Sequence, residues 1–179
     1  MRRSLFSFPN PVNEVAARTV ALGVVVMAGV AVGTRQLWLT IPIAYGFSAR
    51  VLAGPRFSPL GLVATRVIAP RLRRWEKFVP GPPKRFAQAM GATLSLGALG
   101  LWVGGEPGAS VVLLVVLVVP ATLEAAFGYC VGCKIFGLLM RAGLIPTSAC
   151  AACADISSRR ADATRRRISP LQGITPNNS

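Results

Sequence analysis

Ala109–Gly128 reads ASVVLLVVLVVPATLEAAFG. Its centre, VVLLVVLVV over residues 111–119, is apolar at every position, so it lacks the polar stripe of a helix on the surface of a soluble domain. A helix needs roughly 20 apolar residues to cross a hydrocarbon core of about 30 Å, and this stretch meets that length. Three further stretches approach it: about 16–33, 37–53 and 86–104, each bounded by Gly, Pro or Arg. An all-α domain with buried helices would need polar faces that these segments lack. The expected fold is therefore an all-α integral membrane protein of four transmembrane helices.

The composition agrees. The chain has 179 residues, 53% hydrophobic and only 15% charged, against about a quarter charged in soluble domains. Yet Lys and Arg number 20 against 6 acids, a formal net charge of +14. The segment from Arg50 to Arg85 holds nine positives and one negative, and that from Lys134 onward seven and two. The N-terminus adds Arg2, Arg3 and Arg18 against Glu14, whereas the other two connections hold only Arg35 and Glu106. Alternation over four spans puts the N-terminus, the central loop and the C-terminus on one face, which the positive-inside rule makes cytoplasmic. Trp38 and Trp102 fall at the opposite ends, where an aromatic belt belongs. The expected location is thus the cell membrane, multi-pass, with both termini cytoplasmic. Arg2-Arg3 ahead of an apolar run resembles a signal peptide, but Glu14 and Arg18 intervene, so an uncleaved first span is expected.

The division that follows is a cytoplasmic N-terminus over 1–15, a membrane domain over 16–143, and a basic, Cys-containing, largely disordered tail over 144–179. Within the central loop, Ser58–Trp75 mixes Leu, Val, Ile and Trp with four arginines. It suits a helix lying in the interface with its arginines on anionic headgroups, or an ordinary solvated basic loop. Lipid headgroups are thus the expected partners of the basic face. A basic balance also raises nucleic acid, but no nucleic-acid motif accompanies it, and none is expected as a partner.

With no histidine, the chain cannot by itself build a Ser-His-Asp triad, an HExxH zinc site or a His-ligated haem. No two acids stand at i, i+3 or i, i+4. Glu124 is the one acid inside a span, where an ionisable group needs a partner or a wet cavity. Arg18 and Arg50, at comparable depth, are the expected partners, and Pro120 is expected to loosen the helix one turn earlier. Ala87, Gly91 and Ser95 form one small-residue row, Gly29 and Gly33 a second, both suited to close helix packing.

The cysteines are the remaining chemistry. All four occur as CxxC pairs, Cys130/Cys133 and Cys150/Cys153. At i, i+3 on a helix two sulfurs face the same way, within reach of a disulfide. The first pair ends the fourth span, and Lys134 beside it would favour a thiolate. Three readings stand: a redox dithiol of Cys130 and Cys133 exchanging disulfides with a soluble protein, a Cys₄ zinc site using all four, or thiols without chemistry. The spacing C-x₂-C-x₁₆-C-x₂-C fits zinc, but the intervening KIFGLLMRAGLIPTSA reads as an apolar interfacial helix instead of a ribbon. No cofactor is expected on the dithiol reading.

Three stretches carry a family likeness: GPRFSP at 54–59, PKRFAQ at 83–88 and FGYCVGC at 127–133, with FPNPVN at 8–13 matching one branch. Over about residues 8–143 the chain resembles a bacterial membrane family, domain of unknown function 4395, which has no established activity. The resemblance implies an association with thioredoxin-like or sulfurtransferase proteins, which favours the dithiol. The family pattern includes the first CxxC and not the second, which leaves room for a relay from Cys150/Cys153 to Cys130/Cys133. The expectation is a thiol–disulfide or sulfur-handling membrane component working through Cys130 and Cys133. The competing class is a non-catalytic scaffold that recruits partners and lipid through its basic face.

Overall fold

The computed structural model describes residues 11–72 and 77–150. Four apolar helices carry the fold. Helix α1 spans Glu14–Thr34, and α2 spans Thr40–Ala53 behind a 3₁₀ turn at Leu37–Leu39. After short helices, α5 spans Gly81–Val103 and α6 spans Pro107–Phe127. Helix α1 packs on α6, α6 on α5, and α5 on α2, so the four close into an antiparallel bundle. Three of them, α1, α5 and α6, are long and apolar enough to cross a membrane; the Leu37–Ala53 segment is shorter.

Local chemistry sets the helix ends. The Asn13 side chain accepts hydrogen bonds from the backbone N–H groups of Val15 and Ala16, capping α1. Gly128 ends α6 with φ of 67°, a left-handed conformation that glycine adopts without a Cβ penalty. Helix α6 continues through Pro120. The core is layered along the bundle. Val24, Ala28, Ile43, Phe47 and Leu117 form its middle. Ala31, Leu37, Ala98 and Leu114 close one end, with Trp102 packed against them.

The opposite end holds the connections. Central-loop residues 59–71 are helical: α3 at Pro59–Val63, a π turn at Ala64–Ile68 and α4 at Ala69–Arg71. Pro70 cannot donate to the carbonyl one turn back, and the widened turn, with Ala69 N–H bonded to Ala64, accommodates it. Ala64 and Ala69 bury against Ala16 and Val20 of α1, while Arg66 and Arg71 are exposed. A two-residue antiparallel ladder, β1 (Val12–Asn13) with β2 (Phe78–Val79), ties the starts of α1 and α5 together. It is a small departure from an all-α chain.

Helix α7, Val131–Arg141, lies across this same end against α5. Phe136 is buried, its ring centroid 5.7 Å from that of Phe86. Gly132 allows the close approach: a Cβ there would stand 2.6 Å from the Ala87 Cβ. Of the small-residue rows, that on α5 is used, with Gly91 against the Phe47 ring and Ala87 against Gly132. The row at Gly29 and Gly33 is not used among the described residues; both glycines are exposed, with open space around them. Of the tail expected over 144–179, Thr147–Cys150 forms a 3₁₀ turn, and residues 151–179 lie outside the described residues.

Candidate functional site

Gly128 ends α6, and two residues later Cys130 becomes the N-cap of α7, with φ −85° and ψ 101°. The pair is therefore not two positions on a continuous helix. Cys130 sits half outside the first turn and Cys133 inside it. The Cys130 Sγ accepts the backbone N–H of Cys133 at 3.3 Å, occupying the place an N-cap oxygen usually takes. Both are free thiols, Cys130 8% exposed and Cys133 more open.

The two sulfurs are not equivalent. A hydrogen bond from the Cys133 thiol pulls the Cys130 thiol below its usual value; burial and the Glu124 carboxylate oppose this, and the Lys84 ammonium assists it. The hydrogen bond to Cys130, with burial, pushes Cys133 above the usual thiol range. Of the two, Cys130 is therefore the more readily ionised and Cys133 the one that holds its proton more tightly.

The cation beside the sulfurs is Lys84, which the sequence assigned to the central loop. Helix α5 begins at Gly81, earlier than residue 86, and its first turn carries Lys84 into the bundle at 5% exposure. There Lys84 forms an ion pair with Glu124 of α6. Neither arginine expected to pair with Glu124 does so. Arg18 instead donates to the carbonyls of Ala125 and Ala126, satisfying the open end of α6. Arg50 donates from Nε to Gln88 Oε1 at 2.8 Å and from Nη1 to Ser58 Oγ at 3.0 Å, over the Phe47 ring. Lys134 points elsewhere too, its Nζ lying 5.4 Å from the centroid of the Tyr129 ring.

A cavity of about 100 Å³ runs into the bundle behind Cys130, with Glu124, Pro120, Phe47 and Gln88 in its walls. The site thus joins a free thiol at a helix N-terminus to the Lys84–Glu124 ion pair across mostly apolar space. Cys150 is disulfide-bonded in this structure, and Cys153 lies outside the described residues. Among the described residues no three Cys, Asp or Glu side chains converge as a metal site would require.

These features define a class: a helical bundle of membrane-crossing type whose sixth helix is followed by a free CxxC capping a seventh. The family model for "Domain of unknown function (DUF4395)" matches residues 12–141, most of the chain, and the protein belongs to that family. No curated protein and no solved structure matches it.

Proposed function

We propose that this protein is a multi-pass membrane thiol–disulfide component, with Cys130 as nucleophile and Cys133 as resolving thiol. The observation that carries the reading is the N-cap position of Cys130, where two donors from Cys133 and the Lys84 charge stabilise a thiolate. The exchange balances within the two thiols and one partner disulfide. The Cys130 thiolate attacks a partner sulfur, forming a mixed disulfide and releasing the partner's first thiolate. Cys133 then attacks the Cys130 sulfur and its proton leaves with the partner's second sulfur. The chain ends as a Cys130–Cys133 disulfide and the partner as a dithiol, two electrons having moved; the reverse direction uses the same steps. Partners of thioredoxin-like or sulfurtransferase type fit this chemistry.

In this reading all four apolar helices cross the membrane. The α2 segment is short, but its 14 helical residues rise about 21 Å and the preceding 3₁₀ turn about 6 Å, close to the hydrocarbon thickness of about 30 Å. The end carrying α7 and the exposed arginines faces the cytoplasm, on the charge distribution, with the loop helices at the headgroup level. A reporter fused to the C-terminus should signal from the cytoplasm; a periplasmic signal would reverse the orientation.

Trapping tests the chemistry. In the Cys133→Ala variant, Cys130 should accumulate a mixed disulfide in native membranes, separable on non-reducing gels and identifiable by mass spectrometry. If no partner is retained by Cys133→Ala beyond the level of Cys130→Ala, exchange through Cys130 is ruled out.

A further inference from the structure

A second cavity, of about 230 Å³, lies at the α7 end of the bundle between α1, α2, the helical loop and α5. Its walls are mainly apolar, but Arg50 and Lys84 enter them from different helices, with Gln88, Thr65 and Asn13 alongside. Arg50 decides what the cavity is for. It is 5% exposed, and its guanidinium meets no carboxylate, since the ion pair formed among the described residues is Lys84–Glu124. Two of its nitrogens are satisfied by neutral oxygens, those of Gln88 and Ser58, while Nη2 is buried with no hydrogen-bond partner.

A guanidinium does not shed its proton, and a buried charge without a counter-charge costs several kcal/mol. The fold nevertheless makes room for it. Gly46, one turn before Arg50, leaves the space that the guanidinium fills; a Cβ there would stand 3.2 Å from Nη1. Lys84 is already paired with Glu124, so among the described residues Arg50, Lys84 and Glu124 sum to one uncompensated positive. An acid from within the described chain does not supply the balance, and the cavity beside Arg50 has the volume for one from outside.

We infer that this cavity is a binding site for a phosphate- or sulfate-class oxyanion, held by Arg50 from α2 and by Lys84 and Gln88 from α5. A tetrahedral oxyanion accepts from several directions at once, which suits donors converging from two helices. The same group reaches the site from two sources: a free ion in solution, or the phosphate of an anionic lipid whose body occupies the apolar part of the cavity. The inference rests on Arg50, which takes no part in the thiol chemistry at Cys130; Lys84 is the one residue the two sites share.

The test uses the purified full chain in a neutral detergent, with thermal unfolding and calorimetric titration against inorganic phosphate and sulfate, and with chloride at matched ionic strength. A parallel arm places the chain in nanodiscs of phosphatidylcholine with or without phosphatidylglycerol. Saturable stabilisation by phosphate or sulfate, absent with chloride, identifies a free ion. Stabilisation by phosphatidylglycerol alone identifies the lipid. In either arm Arg50→Gln should weaken the effect by about tenfold to a hundredfold in affinity, the loss of one charge-assisted contact, while Arg35→Gln at the far end should not. Should Arg50→Gln fail to fold, Arg50→Lys, which keeps the charge and loses the planar fork, should bind measurably more weakly than wild type. Equal responses to phosphate, sulfate and chloride together with no response to phosphatidylglycerol overturn the site, as does an unchanged response in the Arg50 variants.

Discussion

Replacing Cys133 separates the two hydrogen bonds that favour the ionised form of Cys130. The backbone N–H of Cys133 reaches the Cys130 sulfur at 3.3 Å whatever side chain stands at position 133, provided α7 keeps its first turn. The thiol of Cys133 supplies the other bond, which is the largest cause of the depressed Cys130 value. Hydrogen bonds to charged groups contribute about 1.5–3 kcal/mol, and a thiol is a weak donor, so the lower end applies. Cys133→Ala removes that bond and should raise the Cys130 midpoint, and about 1.5 kcal/mol is about a tenfold change in an equilibrium. Well below the midpoint the thiolate fraction then falls about tenfold. The more basic thiolate is a better nucleophile, with a Brønsted slope of about 0.4–0.5, so the alkylation rate should fall only about threefold. Cys133→Ser restores a donor and should return the midpoint to near the wild-type value. The assay is iodoacetamide labelling of the full chain in detergent between pH 5 and 10, with the Cys130 peptide read by mass spectrometry. Reactivity should rise through a midpoint below that of an ordinary thiol. Identical midpoints for the Ala and Ser variants, or faster labelling of Cys133 than of Cys130 in the wild type, would refute the assignment.

Other perturbations address the scaffold around the thiols. Lys84→Met leaves the Glu124 carboxylate at 15% exposure without its partner and should destabilise the protein by about 3–5 kcal/mol, with Lys84→Met/Glu124→Leu recovering most of it in thermal unfolding. Gly132→Val drives a side chain into Ala87, 2.6–2.7 Å away, and should cost about 1–3 kcal/mol while lifting α7 from α5; an unchanged melting temperature would contradict the packing. Gly91→Ala places a Cβ 2.3 Å from the Phe47 ring and should be similarly costly, whereas Gly29→Ala, facing open space, should be tolerated in the same assay.

The apolar helices were legible because continuous hydrophobic runs have few alternative structures, and α1, α2 and α6 begin and end close to where composition places them. The start of α5 was not. Gly81-Pro82-Pro83 reads as a break, yet proline is compatible with a first helical turn, where its missing N–H costs nothing. Misplacing that turn left Lys84 in the central connection, and with it went the partner of Glu124. Lys134 was favoured for its adjacency to Cys133, but consecutive helical residues diverge, and the relevant cation came from another helix. The unequal thiols had a signal in the sequence: Gly128 is a helix-ending residue two positions before Cys130, which makes the cysteine a cap instead of a continuation. Arg50 has the right depth in the sequence, but its neutral partners, Gln88 and Ser58, emerge only from the packed bundle.

The central claim is that Cys130 and Cys133 change redox state together at the membrane surface. Differential alkylation of the two cysteines in native membranes, before and after brief oxidant or reductant treatment, tests it most directly. Both thiols should lose and regain labelling in parallel, with a Cys130–Cys133 disulfide found in the oxidised sample. Labelling of both cysteines that stays constant under oxidant, reductant and a thioredoxin-like protein would contradict it.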